Sequence, residues 1–165
     1  MEISRQKIIT TLWDLWPDLV DGLPSPTNIA IPRGRYWAPT RQQFENMINA
    51  DYSSVAKYTH YVTDLYACTN FAATLAVISD FYVLQLLALN QLRPENRLEW
   101  AIGEVWGTRF RGKETSHAIA GVFLDIDSVV ELWLLEPQPN RSGPELKYQA
   151  WKADSEQDKV HFFKL

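Results

Sequence analysis

Cys68 to Leu92 reads CTNFAATLAVISDFYVLQLLALNQL, and this stretch decides the fold. It predicts one long helix, apolar on nearly every side: Phe71, Leu75, Val77, Ile78, Phe81, Val83, Leu84, Leu87 and Leu89. A helix apolar all round belongs in the middle of a domain. The stretch is also long enough to raise a membrane span. Asp80 lies at its centre, however, with Thr74, Ser79 and Gln85 around it. A carboxylate in mid-bilayer costs on the order of 3 kcal/mol. The expectation is a central buried helix and no membrane.

Upstream, Ile3, Ile8, Ile9, Leu12, Trp13, Leu15 and Trp16 recur at near-helical spacing, with Ser4 as N-cap and Pro17 as stop. Pro17, Pro24, Pro26, Pro32 and Pro39 then break up the chain. Residues 1–35 therefore read as an N-terminal helix followed by a Pro-rich extended segment, with a short strand at Asn28–Ile31. Thr40 with Gln43 forms a capping box for a helix to about Ala50. The Tyr-rich stretch Tyr52–Ala67 is ambiguous.

Downstream, Pro94 suits the first turn of a short helix to about Trp100. The period then changes to that of strands. Ala101–Thr108, His117–Leu124 and Val129–Leu135 alternate, and Asp125–Ser128 is a turn cluster that makes the last two a hairpin. Glu136–Pro144 reads as a loop. Leu146–Trp151 and Lys159–Lys164 are further strands. Helices first and strands after predict an α+β fold, with helices in the N-terminal half and an antiparallel sheet in the C-terminal half. One domain is expected over residues 1–165.

The chain has 165 residues, 46% of them hydrophobic and 22% charged, which excludes a disordered polyelectrolyte. Sixteen Lys and Arg stand against twenty Asp and Glu, a net charge of −4. That argues against a nucleic-acid partner, which would call for a basic excess. A single cysteine excludes an intramolecular disulfide and a Cys-based zinc site. The first residues carry no export signal, so a cytoplasmic setting is expected.

That cysteine, Cys68, opens the long helix, where free N–H groups and the helix dipole favour a thiolate. Free cysteine is more often a small buried hydrophobe. A nucleophile needs a base, and the candidates are His60, His117 and His161. His117 opens a strand, and Glu136 ends the strand that pairs with it. Matched strand lengths bring the two close to cross-strand neighbours, so imidazole and carboxylate can meet. Arg109, Arg111 and Lys113, with Phe110, form a small basic patch beside His117 that would favour carboxylate-bearing ligands. Trp37, Trp106 and Trp133 are candidate cleft walls. Asp125 and Asp127 lack the Gly and distal Glu of a calcium loop. Gly103–Gly107 lacks the Lys and Ser/Thr of a phosphate loop.

Cys68-Thr69-Asn70-Phe71-Ala72 resembles the cysteine block of papain-like and transglutaminase-like proteins. His117-Ala118 and Glu136-Pro137 are similar to their His and acidic blocks. Glu136-Pro137-Gln138 and Tyr66-Ala67-Cys68 more narrowly resemble the protease domain at the C-terminus of a mushroom agglutinin and related small bacterial and phage proteins. The resemblance implies a papain/transglutaminase-like fold and a cysteine hydrolase or acyltransferase acting on a peptide or amide substrate. It implies Cys68 as nucleophile, His117 as base, Glu136 as the group that orients it, and Gln138 at the site edge. The Cys68 N–H would supply half an oxyanion hole, the rest coming from the Tyr52–Tyr66 region, Gln42 or Gln43. Acidic residues that flank the cysteine in the agglutinin-like group and help bind a metal are replaced here by Ala67, Thr69 and Asn70, so no metal and no cofactor is expected. The competing expectation is a catalytically inactive scaffold of the same kind that binds a protein partner.

Overall fold

The computed structural model describes residues 1–20, 28–56, 68–91, 98–140 and 147–165. The stretch Tyr52–Ala67 is thus described only to Ala56. His60 and residues 92–97 lie outside the described residues; the end of the short helix expected after Pro94 is not helical, Trp100 forming a β-bridge with Trp37.

Strand β1 (Glu2–Ser4) runs into helix α1 (Arg5–Leu15) and the short α2 (Pro17–Val20). The Ser4 hydroxyl accepts from the Lys7 N–H at 3.1 Å, as an N-cap should, and Ile8 and Leu12 are buried. Strands β2 (Ile29–Ala30) and β3 (Arg35–Trp37) follow, then α3 (Arg41–Met47). The capping box of α3 is complete: Thr40 Oγ1 accepts from Gln43 N, and Gln43 Oε1 accepts from Thr40 N. A π-helical turn (Ile48–Tyr52) and α4 (Ser53–Ala56) lead towards α5 (Cys68–Ala88). Five strands complete the chain: β4 (Ile102–Phe110), β5 (Lys113–Ile126), β6 (Val129–Asn140), β7 (Lys147–Lys152) and β8 (Lys159–Lys164).

The main sheet has six strands in the order β2-β8-β4-β5-β6-β7. All its pairs are antiparallel except β2 with β8. β1 and β3 form a separate antiparallel ribbon. This corrects the expected fold class in two respects. The sheet is mixed and dominates the molecule, and the N-terminal half contributes β1 and β3 besides the short strand expected at Asn28–Ile31. The short strand expected at Asn28–Ile31 among the prolines is present as β2 and pairs with β8, whereas β1 and β3, which pair with each other, were not expected.

Alternation along β5 sends Ile119 and Phe123 to one face of the sheet and Ala120, Val122 and Leu124 to the other. The first face is covered by Ile8 and Leu12 of α1, with Trp16, Leu19 and Tyr36. The second is covered by Phe44 and Met47 of α3, by Ile48 and Tyr52, and by Ala72, Leu75, Ile78 and Val83 of α5.

The second correction concerns α5. It is not buried all round. Ala72, Leu75, Ile78 and Val83 pack against the sheet, Phe71 is buried, and Ser79 is buried with its hydroxyl donating to Ala76 O at 2.7 Å. Val77, Phe81, Leu84 and Leu89 are exposed, Phe81 by 61%. The sheet covers one side of the helix, and among the described residues nothing covers the other.

Two tight hairpins set the register. Ile126 pairs with Val129, so Asp127 (φ 51°) and Ser128 (φ 69°) make a two-residue turn with both residues left-handed. Asp125 Oδ1 accepts from Ser128 N at 2.9 Å, and its Oδ2 lies 3.6 Å from the Met1 ammonium. Burial pulls that ammonium's pKa below its usual value, against the attraction of Asp125. A serine in the left-handed region costs about 1 kcal/mol. Ser128→Gly is expected to raise stability by about 0.5 kcal/mol or more after the glycine's greater unfolded freedom is set against it. A urea midpoint that fails to rise refutes this reading.

Candidate functional site

The β4–β5 hairpin closes in the same way as β5–β6. Phe110 pairs with Lys113, leaving Arg111 (φ 51°) and Gly112 (φ 72°) as a left-handed two-residue turn. Glycine suits its place there; arginine does not, and such a residue stays left-handed only where its surroundings hold it. The hold comes from the turn Asp154–Asp158. Asp158 Oδ1 accepts from Arg111 N at 2.9 Å, and Gln157 O accepts from Gly112 N at 2.9 Å.

Asp158 is fully buried. Its carboxylate also accepts from Trp151 Nε1, at 3.2 Å to each oxygen, and from Asp154 N at 3.0 Å. A buried carboxylate is tolerable only with such a set of donors. The result is that the hairpin turn, the Trp151 indole and the Asp154–Asp158 turn are tied to one group.

Beside this knot lies a cleft of 720 Å³ on the α1 face of the sheet, floored by Phe110 and Ile119. Its polar lining includes Arg111, His117, Glu136, Gln138, Gln149 and Trp151. Strand register explains why they converge. Ala120 is opposite Leu135, so the same ladder continued puts Ile119 opposite Glu136 and His117 one diagonal step away on the same face. Gln149 is directly opposite Glu136, and Trp151 is opposite Leu134.

His117 Nε2 and Glu136 Oε2 are 2.7 Å apart, and Glu136 Oε1 accepts from Gln138 N at 3.0 Å. Both carboxylate oxygens are therefore engaged. A carboxylate can only accept, so Nε2 carries the hydrogen. Nδ1 has no hydrogen-bond partner among the described residues. Arg111 Nη1 donates to Gln149 Oε1 at 2.8 Å, and the guanidinium lies 5.6 Å from the centre of the Trp151 ring.

Of the residues singled out from the sequence, His117, Glu136 and Gln138 are brought together. The helix that begins at Cys68 packs on the opposite face of the sheet. Tyr52 Oη ties its first turn, at Phe71 O, to Pro137 O of β6. The Cys68 side chain lies outside the described residues. Of the expected oxyanion donors, Gln42 donates to Asn46 and Tyr52 to those two carbonyls, Gln43 engages its side-chain oxygen as acceptor in the capping box, and residues 57–66 lie outside the described residues. His161 pairs with Thr108 on an exposed part of the sheet. Arg109 donates to Glu156 O. Trp37, Trp106 and Trp133 do not line this cleft; Trp133 lines a separate groove under Arg41. Trp151, Gln149 and Asp158 were missed. Only the alternation Gln149–Trp151 on one side of β7, against Tyr148–Ala150 on the other, hinted at them.

No family model and no curated protein matches the chain. Solved structures do match. One is the Polyporus squamosus lectin bound to the human-type influenza-binding epitope Neu5Aca2-6Galb1-4GlcNAc, with a TM-score of 0.63 and 18% identity over 99% of this chain and 49% of that chain. Another is a PSL1a-E64 complex, with a TM-score of 0.62 and 16% identity over 99% of this chain and 51% of that one. This chain thus spans about half the length of the chains it matches. The likeness is one of fold.

It corrects the expectation of a papain-like or transglutaminase-like cysteine protease, with its catalytic triad and its peptide or amide substrate. The chains that share this fold are those of a lectin. The physical reason is the brevity of the motifs. A small residue capping a helix face and a His–carboxylate pair at a sheet end both follow from packing and register, without defining a reaction.

Proposed function

We propose that this chain is a binding module, and that its ligand is a saccharide held in the cleft around His117 and Glu136. The observation that carries this is the lining. Planar hydrogen-bonding groups on Gln138, Gln149 and His117 stand beside the indole of Trp151 within one 720 Å³ cleft. A sugar ring presents hydroxyls at its edge and C–H groups on its faces. Amides and imidazole satisfy the first as donor and acceptor together, and an aromatic face covers the second. A cleft with a few fixed polar groups on an apolar floor is the usual form of a small-ligand site. The shared fold with a lectin crystallised on a sialylated epitope supports the same reading.

The role of Glu136 here is orientation. It fixes the His117 ring so that Nδ1 is offered as an acceptor to a ligand hydroxyl.

The test is a titration of isotope-labelled protein with a panel of monosaccharides. Shifts are expected in the amides of His117, Gln138 and Gln149 and in the Trp151 indole. Gln138→Ala and Gln149→Ala should each weaken binding on the order of fivefold, the worth of one neutral hydrogen bond. Shifts confined to other surfaces, or no saccharide that moves these resonances, would sink the proposal.

A further inference from the structure

We infer that the cleft selects a carboxylate on its saccharide, and that Arg111 is the residue that reads it. This rests on the binding reading above and narrows it to acidic sugars. The argument starts from how the cleft's charges are satisfied. Glu136 is held by His117 and the Gln138 N–H. Asp158 is saturated by three N–H donors and has no exposed surface. These two acids are therefore occupied inside the protein, while a third, Glu114, lines the cleft as an exposed residue.

Arg111 is different. Its guanidinium is placed by a neutral amide and an aromatic face, Gln149 and Trp151. Among the described residues no carboxylate lies within ion-pair distance of it, whereas Arg33, Arg35 and Arg41 each have one. Five N–H donors in a planar fork are matched to a carboxylate, and one donor is spent on Gln149. Lys113 and Glu114, also in the lining, carry opposite charges and offset each other, so the positive charge that remains is that of Arg111.

The backbone points the same way. Arg111 occupies a left-handed position where asparagine or glycine would be easier, and the buried Asp158 locks it there. Nothing in the turn requires a long cationic side chain. The side chain is carried at a conformational cost and is held over the cleft.

The left-handed position also supplies the test. Asparagine adopts that conformation readily, so Arg111→Asn removes the guanidinium without opposing the turn. Glucuronate, its uncharged amide glucuronamide, and glucose are titrated into the wild type, Arg111→Asn and Arg111→Lys, with thermal melts of each. Expected is glucuronate binding on the order of tenfold tighter than glucuronamide in the wild type, a preference that shrinks with added salt. The ratio should fall to about one in Arg111→Asn and be only partly kept by lysine, which supplies a point charge without the fork. Equal binding of all three sugars with cleft resonances shifted would overturn the carboxylate inference while leaving the binding module standing. Failure of all three to reach the cleft would overturn both. An unchanged ratio in a well-folded Arg111→Asn protein would overturn the role of Arg111.

Discussion

Asp158→Ala is expected to cost about 3–4 kcal/mol of stability. The carboxylate is fully buried and accepts from Arg111 N, Trp151 Nε1 and Asp154 N. Truncation leaves three donors in a space that water does not reach, each worth about 1 kcal/mol or more when orphaned. For a chain of this size the melting temperature should fall by about 10 °C. The loss should also be felt in the cleft, because the same carboxylate fixes the Trp151 indole and the Arg111 turn. Asp158→Asn keeps one acceptor but turns an amide N–H₂ towards donors, and should fall between the two. Chemical denaturation of the three proteins checks this. A loss below about 1 kcal/mol for alanine would mean that the carboxylate does not organise this region.

Gly103→Ala should be comparably damaging for a different reason. A Cβ on Gly103 would lie 1.8 Å from Lys164 O and 2.8 Å from Leu165 Cα, both backbone atoms of the chain that runs beside it. No rotamer can relieve that clash; β8 must move off β4. Overpacking of this sort costs about 3 kcal/mol. Strand β8 also carries β2, so the disturbance should appear as faster amide exchange in both strands. Gly34→Ala is the control. Nothing lies within 4 Å of a Cβ there, so its effect should stay within about 0.5 kcal/mol. Similar stabilities for the two variants would refute the close approach of β4 and β8.

What the sequence made legible was local. The Ser4 cap, the Thr40–Gln43 capping box and the Asp125–Ser128 turn all depend on residues three or four apart, and all stand in the structure. The meeting of His117 with Glu136 was legible too, because one tight turn fixes the register between them. The rest depends on partners far along the chain. Gln149 and Trp151 reach the cleft only through the pairing of β6 with β7. Asp158 matters only because its turn meets Arg111, forty-seven residues earlier.

The misreading of α5 has a similar origin. Composition says that a helix avoids water on every side; it cannot say on how many sides the chain supplies cover. Here the sheet supplies one. The misassigned family has another cause. Short matches at Cys68, His117 and Glu136 weigh residue types at three points, whereas the likeness to lectin chains rests on the course of nearly the whole backbone.

The place of β8 has a consequence for how the molecule is made. It follows β4 to β7 in sequence, yet it lies inside the sheet, between β2 and β4. While the polypeptide is still emerging from the ribosome, β4 through β7 can zip together as successive antiparallel neighbours, but β4 keeps a bare edge and β2 has nothing to dock on. Only when residues 159–164 are released does the barrier between the early and late thirds of the chain close. A nascent chain paused before that point exposes an unpaired strand, the form most prone to stick to its neighbours.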